Sequence, residues 1–179
     1  MVGLRRSLAH LAGRLASRPV ARYISRQRDR LVDQSALMPA EIKQAFEPYF
    51  DQVLLNETRV VVSEELGLPA VPCERLLRTF GMHMPSMELI SAITLNDVVA
   101  VRDRPSLRLL FHELVHVAQF RLLGVATFAQ LYVRGFLAEG SYEAIPLERC
   151  ASNLEERFLS GETFSVEADV KSWNARGLF

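Results

Sequence analysis

The chain has 179 residues, and its 21 basic and 21 acidic residues cancel to a formal net charge of zero. Length and an apolar content of 49% predict one domain with a real core, preceded by an N-terminal appendage. No run of about 18 apolar residues is present, so no transmembrane helix is expected. The two cysteines, Cys73 and Cys150, make no disulfide framework and fit a reducing, cytoplasmic compartment.

Charge is unevenly spread. Residues 1–30 hold Arg5, Arg6, Arg14, Arg18, Arg22, Arg26, Arg28 and Arg30 against a single acid, Asp29, so the remainder is acidic in compensation. Leu4, Leu8, Leu11 and Leu15 recur at helical spacing, with the arginines mostly off that stripe. Pro19 is expected to end this helix and to start a second one using Val20, Ile24 and Leu31. Residues 1–35 therefore read as a basic amphipathic helical arm. Such an arm can pack on its own domain, lie peripherally on an anionic membrane, or act as an organelle-targeting presequence. No continuous apolar stretch follows the basic start, which argues against a secretory signal.

Residues 36–179 read as the main domain. Pro39 opens a helix expected to reach Tyr49, and Arg59 to Ser63 is β-branched and reads as a strand. Gly67 to Pro72 reads as a loop and Cys73 to Phe80 as a helical turn. Ile90 to Leu95 and Val98 to Arg102 are short β-rich runs, and Asn96-Asp97 between them predicts a hairpin.

The next element carries the chemistry. His112-Glu113-Leu114-Val115-His116 reads H-E-x-x-H inside a helical run bounded by Pro105 and Gly124. Residues four apart share a helix face, so both imidazoles can address one metal ion, with Glu113 beside them to act on a water. The run is apolar nearly all round, which predicts a buried helix. Two histidines and a glutamate buried there without partners would be costly, and a metal would satisfy all three.

A zinc site needs a third protein ligand and one open position. His10 lies in the basic arm and His83 in a Gly/Met/Pro-rich loop, and neither suits the role. Phe128 to Leu137 reads as a further helix, followed by one that Pro146 starts and that runs to about Leu159. Glu148 in the first turn of this last helix is the preferred third ligand, with Glu143 and Glu139 as fallbacks. Small Ala151, one turn on, allows close packing against the motif helix. Cys150 points elsewhere and reads as a buried small residue. The tail from Gly161 to Phe179 gives no signal.

These motifs resemble the zincin metallopeptidases, and among them the gluzincin arrangement, in which the H-E-x-x-H helix is followed by a helix bearing a glutamate ligand, often as E-x-x-A-D. Glu148-Arg149-Cys150-Ala151 matches E-x-x-A, and Ser152 stands where the Asp often occurs. Over roughly residues 59–158 the chain also looks like a group of small bacterial H-E-x-x-H proteins. Their pattern appears here as Ala92-Ile93-Thr94-Leu95, His112 to Gln119, Tyr132, Tyr142 and Pro146-Leu147-Glu148. The resemblance implies one zinc ion per chain, a peptide or protein substrate, and an edge strand above the cleft to which an extended substrate can add.

The expected fold is α+β: a zincin-like domain, mostly helical, with a small sheet or hairpin ahead of the motif helix. The expected activity is that of a zinc metallopeptidase. His112, His116 and Glu148 bind the metal, and Glu113 is the general base. Tyr142 or Tyr132 can donate to a developing oxyanion, or can simply pack. Two rivals stand beside this reading: a catalytically silent zincin-fold scaffold, and a membrane-surface adaptor working through the basic arm. No Gly-rich phosphate loop or aromatic–basic pattern is present, so specific nucleic-acid binding is not expected.

Overall fold

The computed structural model describes residues 2–63 and 91–179. The expected loop at 67–72, the turn at 73–80 and His83 lie outside the described residues. In chain order the elements are α1 (Val2–Val32), β1 (Ala36–Leu37), α2 (Ala40–Phe46), α3 (Gln52–Glu57), β2 (Arg59–Val62), β3 (Ala92–Leu95), β4 (Val98–Val101), α4 (Leu107–Glu139), α5 (Pro146–Leu159) and α6 (Val166–Ala175). The protein is α+β, mostly helical with one small mixed sheet.

The sheet has the order β1-β2-β4-β3. β2 runs parallel to β4, with Val60 opposite Val99, and β3 runs antiparallel to β4, with Thr94 opposite Val99. The predicted hairpin forms at Asn96-Asp97, and Asn96 takes a φ of 63° that few residue types other than glycine accept readily. All four residues of β4 are buried. Val99 and Val101 face the main core, whereas Val98 and Ala100 join Val61 beneath Leu31 and Val32 of α1. A strand covered on both faces loses the polar alternation of an exposed one, which is why Val-Val-Ala-Val is uniformly apolar.

Helix α4 is the hub, packing against α1, α5, α6, β3 and β4. Ser106 caps its start by accepting the Leu109 amide at 3.1 Å, so Pro105 lies just before the helix and not in its first turn. At Gly124 the backbone leaves the helix (φ 73°, ψ 156°), a conformation close to glycine-only. The rings of Phe120 and Phe128 stack at 3.8 Å. Eight residues of straight helix would separate them by about 12 Å along the axis, so the chain turns back at Gly124. Residues 107–123 and 125–139 are two limbs, which is the separation expected from the sequence.

One expectation needs correction. Pro19 does not divide the N-terminal helix: α1 continues through it. The proline faces solvent, and Gly13, Val20 and Ile24 hold the opposite side of α1 against the body on both sides of it. By length and mean hydropathy α4 meets the requirement for crossing a membrane, as the core helix of a folded domain also can. Half of its most apolar stretch is buried in the fold, and the turn at Gly124 means that the two limbs do not form one straight rod. The C-terminal tail, silent in sequence, folds as α6, with Val166 and Val170 buried and Ser165 capping Ala168.

An aromatic cluster fixes α5 on the first limb. Phe111 stacks on Phe158 at 4.3 Å with nearly parallel rings, and Phe46, Tyr49, Phe50 and Phe164 meet its edges. Phe111 directly precedes His112, so this packing sets the height of α5 against the motif.

Candidate metal centre

His112 and His116 project from one face of α4 with ring centroids 5.0 Å apart. Glu148, in the first turn of α5, meets them: its Oε2 lies 3.3 Å from His112 Nε2 and 3.3 Å from His116 Nε2. The three donor atoms all fall within 4.8 Å of one another and could hold a metal ion. Tetrahedral zinc with ligand bonds of about 2.0–2.2 Å needs neighbouring donors roughly 3.3–3.5 Å apart. Glu139 and Glu143, the fallback ligands, are exposed and are not drawn into this group.

The far side of each imidazole is committed. His112 Nδ1 lies 2.8 Å from Glu155 Oε2, and the other oxygen of that carboxylate accepts from Arg108 Nε. His116 Nδ1 lies 2.9 Å from Gln119 Oε1, while Gln119 Nε2 donates to the Leu147 carbonyl at 3.0 Å. The carbonyl can only accept, so it fixes the amide orientation of Gln119 and presents an oxygen to His116. Both Nδ1 atoms therefore carry hydrogen, and both Nε2 atoms turn towards Glu148. Two imidazole lone pairs aimed at one carboxylate oxygen repel it unless a positive charge stands between them. A proton can serve one of these contacts, whereas a cation serves all three atoms. That donor chemistry fits a divalent metal.

Charge couples these groups to one another. Burial by itself would raise the Glu148 carboxyl, but the charge of His116 and the contacts of both histidines outweigh it and hold it well below the usual carboxylate range. Burial would likewise lower His116, but the Glu148 charge, helped by Glu113 and Gln119, outweighs it and lifts the imidazole to about 9. The remaining oxygen of Glu148, Oε1, accepts the Tyr132 hydroxyl at 2.8 Å. Burial, followed by the Glu148 charge, keeps Tyr132 a phenol far above its ordinary range. Tyr132 thus holds the third donor in place. Tyr142 is partly exposed, its ring 6.4 Å from that of Tyr132.

Glu113 is buried and lies on the sheet side of the motif. Thr94 on β3 donates to its Oε2 at 2.6 Å and also lies 3.1 Å from its backbone carbonyl. Among the described residues the other carboxylate oxygen has no protein donor. Cys150 is buried and free, and burial pushes its thiol up to about 12.

Glu155, Gln119 and Thr94 carry no assignment from sequence. Glu155 lies seven residues after Glu148, two turns along the same helix face, and supplies the carboxylate that Ser152 cannot. A signal for Gln119 was available, because a polar residue in an otherwise buried apolar helix needs a partner. Comparison with protein-family models, curated proteins and solved structures gave no match.

Proposed function

We propose that the protein is a mononuclear zinc hydrolase acting on peptide bonds, with a zincin-like arrangement of its site. The observation that carries this reading is the convergence of His112, His116 and Glu148 on one point with Glu113 alongside. His112, His116 and Glu148 hold the ion. When bound, zinc supplies Lewis-acid polarisation of a carbonyl and lowers the pKa of water. Glu113 acts as general base through the oxygen that Thr94 leaves free, and returns the proton to the leaving amine. Glu155 and Gln119 keep the imidazoles oriented, and Tyr132 fixes Glu148. Strand β3 is one of the two edge strands among the described residues and carries Thr94, so an extended peptide paired along it would pass beside Glu113. The buried free thiol fits a reducing, cytoplasmic setting.

The test starts with metal analysis of protein purified without chelators or a metal-binding tag, beside the His112→Ala/His116→Ala double variant. About one zinc per chain, lost in the variant, is expected. Absence of metal after zinc is added back would refute the site. A peptide-library digest with the wild type and Glu113→Gln follows. Cleavage lost in a variant that retains zinc is expected, and a zinc-loaded wild type that cleaves nothing would favour a silent scaffold.

A further inference from the structure

Helix α1 presents two opposite faces. On one side Gly13, Val20, Ile24 and Gln27 are buried. A Cβ added to Gly13 would lie 3.0 Å from the Gln130 carbonyl, so this face seats tightly on the second limb of α4. By helical spacing Leu11, Arg14, Leu15, Arg18, Arg22 and Arg26 share the other side. All six are exposed, Leu11 at 57% and Leu15 at 71% of full accessibility. Among the described residues none of these four guanidinium groups has an ion-pair partner. Arg28 further along the same helix, by contrast, is paired with Asp97 and Asp29. Among the described residues this basic strip, about 22 Å long, has no neutralising partner, and two exposed leucines stand at one end of it.

We propose that this face of α1 docks the protein on an anionic lipid bilayer. Arginines alone would suit any polyanion. Leucines among them favour lipid, because side chains of this kind gain by entering the headgroup–acyl boundary while neighbouring guanidinium groups stay at phosphate level. A nucleic-acid backbone offers the leucines no comparable partner. The opposite face holds α4, so docking leaves the packing of the metal centre undisturbed. The proposal does not depend on the metal reading, and the His112→Ala/His116→Ala variant should bind vesicles as the wild type does.

The experiment is flotation of the full chain with phosphatidylcholine vesicles, with and without phosphatidylserine, over a salt series. Binding confined to the phosphatidylserine vesicles and weakened by salt is expected. Each arginine near such a surface contributes about fivefold, so R14Q/R18Q/R22Q/R26Q should weaken binding by about a hundredfold or more. The matching four-lysine variant should retain it. L11S/L15S should weaken binding by about tenfold or more, from lost apolar burial. Circular dichroism of each variant reports folding independently, and the lysine variant serves if the glutamine variant unfolds. Failure of the full chain to bind phosphatidylserine vesicles would overturn the proposal. So would full vesicle binding by a folded glutamine variant. Binding of a DNA duplex as tightly as vesicles at equal salt, with L11S/L15S unaffected on vesicles, would assign the face to nucleic acid instead.

Discussion

Glu155 allows a graded test of how the centre is held. Its Oε2 lies 2.8 Å from His112 Nδ1, its side chain is 11% exposed, and its other oxygen takes Arg108. In Glu155→Ala the His112 ring loses the acceptor that fixes both its tautomer and its direction. Outer-shell partners of this kind are worth about 10–100-fold in metal affinity, or about 1.4–2.7 kcal/mol. Glu155→Gln is subtler. Its amide oxygen can still accept from His112, but then its NH2 faces the Arg108 guanidinium. Arg108 is 66% exposed and can swing into water, so the clash costs little. What is lost is the charge assistance, about 1 kcal/mol or roughly fivefold. The expected order of zinc affinity is wild type, then Glu155→Gln, then Glu155→Ala, with His112→Ala weakest. Competition with a chromophoric chelator at fixed pH measures all four. An alanine variant within twofold of wild type would refute the orienting role, and a glutamine variant as weak as His112→Ala would show that the charge itself is what binds.

Gly135→Ala places a Cβ 2.8 Å from Pro146 Cδ and 3.1 Å from Ile145 Cγ2. It should cost about 1–3 kcal/mol by overpacking and lower zinc occupancy, because Pro146 leads into Glu148; melting and metal analysis check both. Gly124→Ala meets no atom within 4 Å but must adopt φ 73°, so its cost of about 1–3 kcal/mol is backbone strain alone, and an unchanged thermal midpoint would contradict the turn. Thr94→Val should leave zinc content intact while slowing hydrolysis, since it removes the 2.6 Å anchor of Glu113; equal turnover would remove Thr94 from the mechanism. Arg28 grips Asp97 with two hydrogen bonds of 2.8 and 2.6 Å. Burial opposes ionisation of Asp97, but the Arg28 contacts outweigh it and hold the carboxyl below its ordinary range. The pair therefore stabilises the fold above the unfolded carboxylate pKa of about 3.9 and loses that contribution as pH falls through the lower folded value. Urea midpoints of wild type and Asp97→Asn should accordingly differ near neutrality and converge in acid; a gap that widens in acid would reverse the sign.

The sequence by itself determined the helix with two histidines one turn apart, because that pairing is a property of the helical repeat and needs no tertiary contact. It also determined the start of α5, where Pro146 has only one comfortable helical position, the hairpin at Asn96-Asp97, and the break at Gly124. These signals are local: a missing N–H, a tolerated positive φ, a period of 3.6. Only the tertiary structure decided which of Glu139, Glu143 and Glu148 meets the histidines, since that depends on Phe111 stacking on Phe158 and on the chain turning back to bring Tyr132 over. It alone revealed what Glu155, Gln119 and Thr94 do, since each makes a helix–helix or helix–strand contact 19 to 43 residues distant in sequence. The continuation of α1 through Pro19 has the same origin. Local chemistry disfavours a proline there, and packing of Gly13, Val20 and Ile24 on either side of it outweighs the lost hydrogen bond.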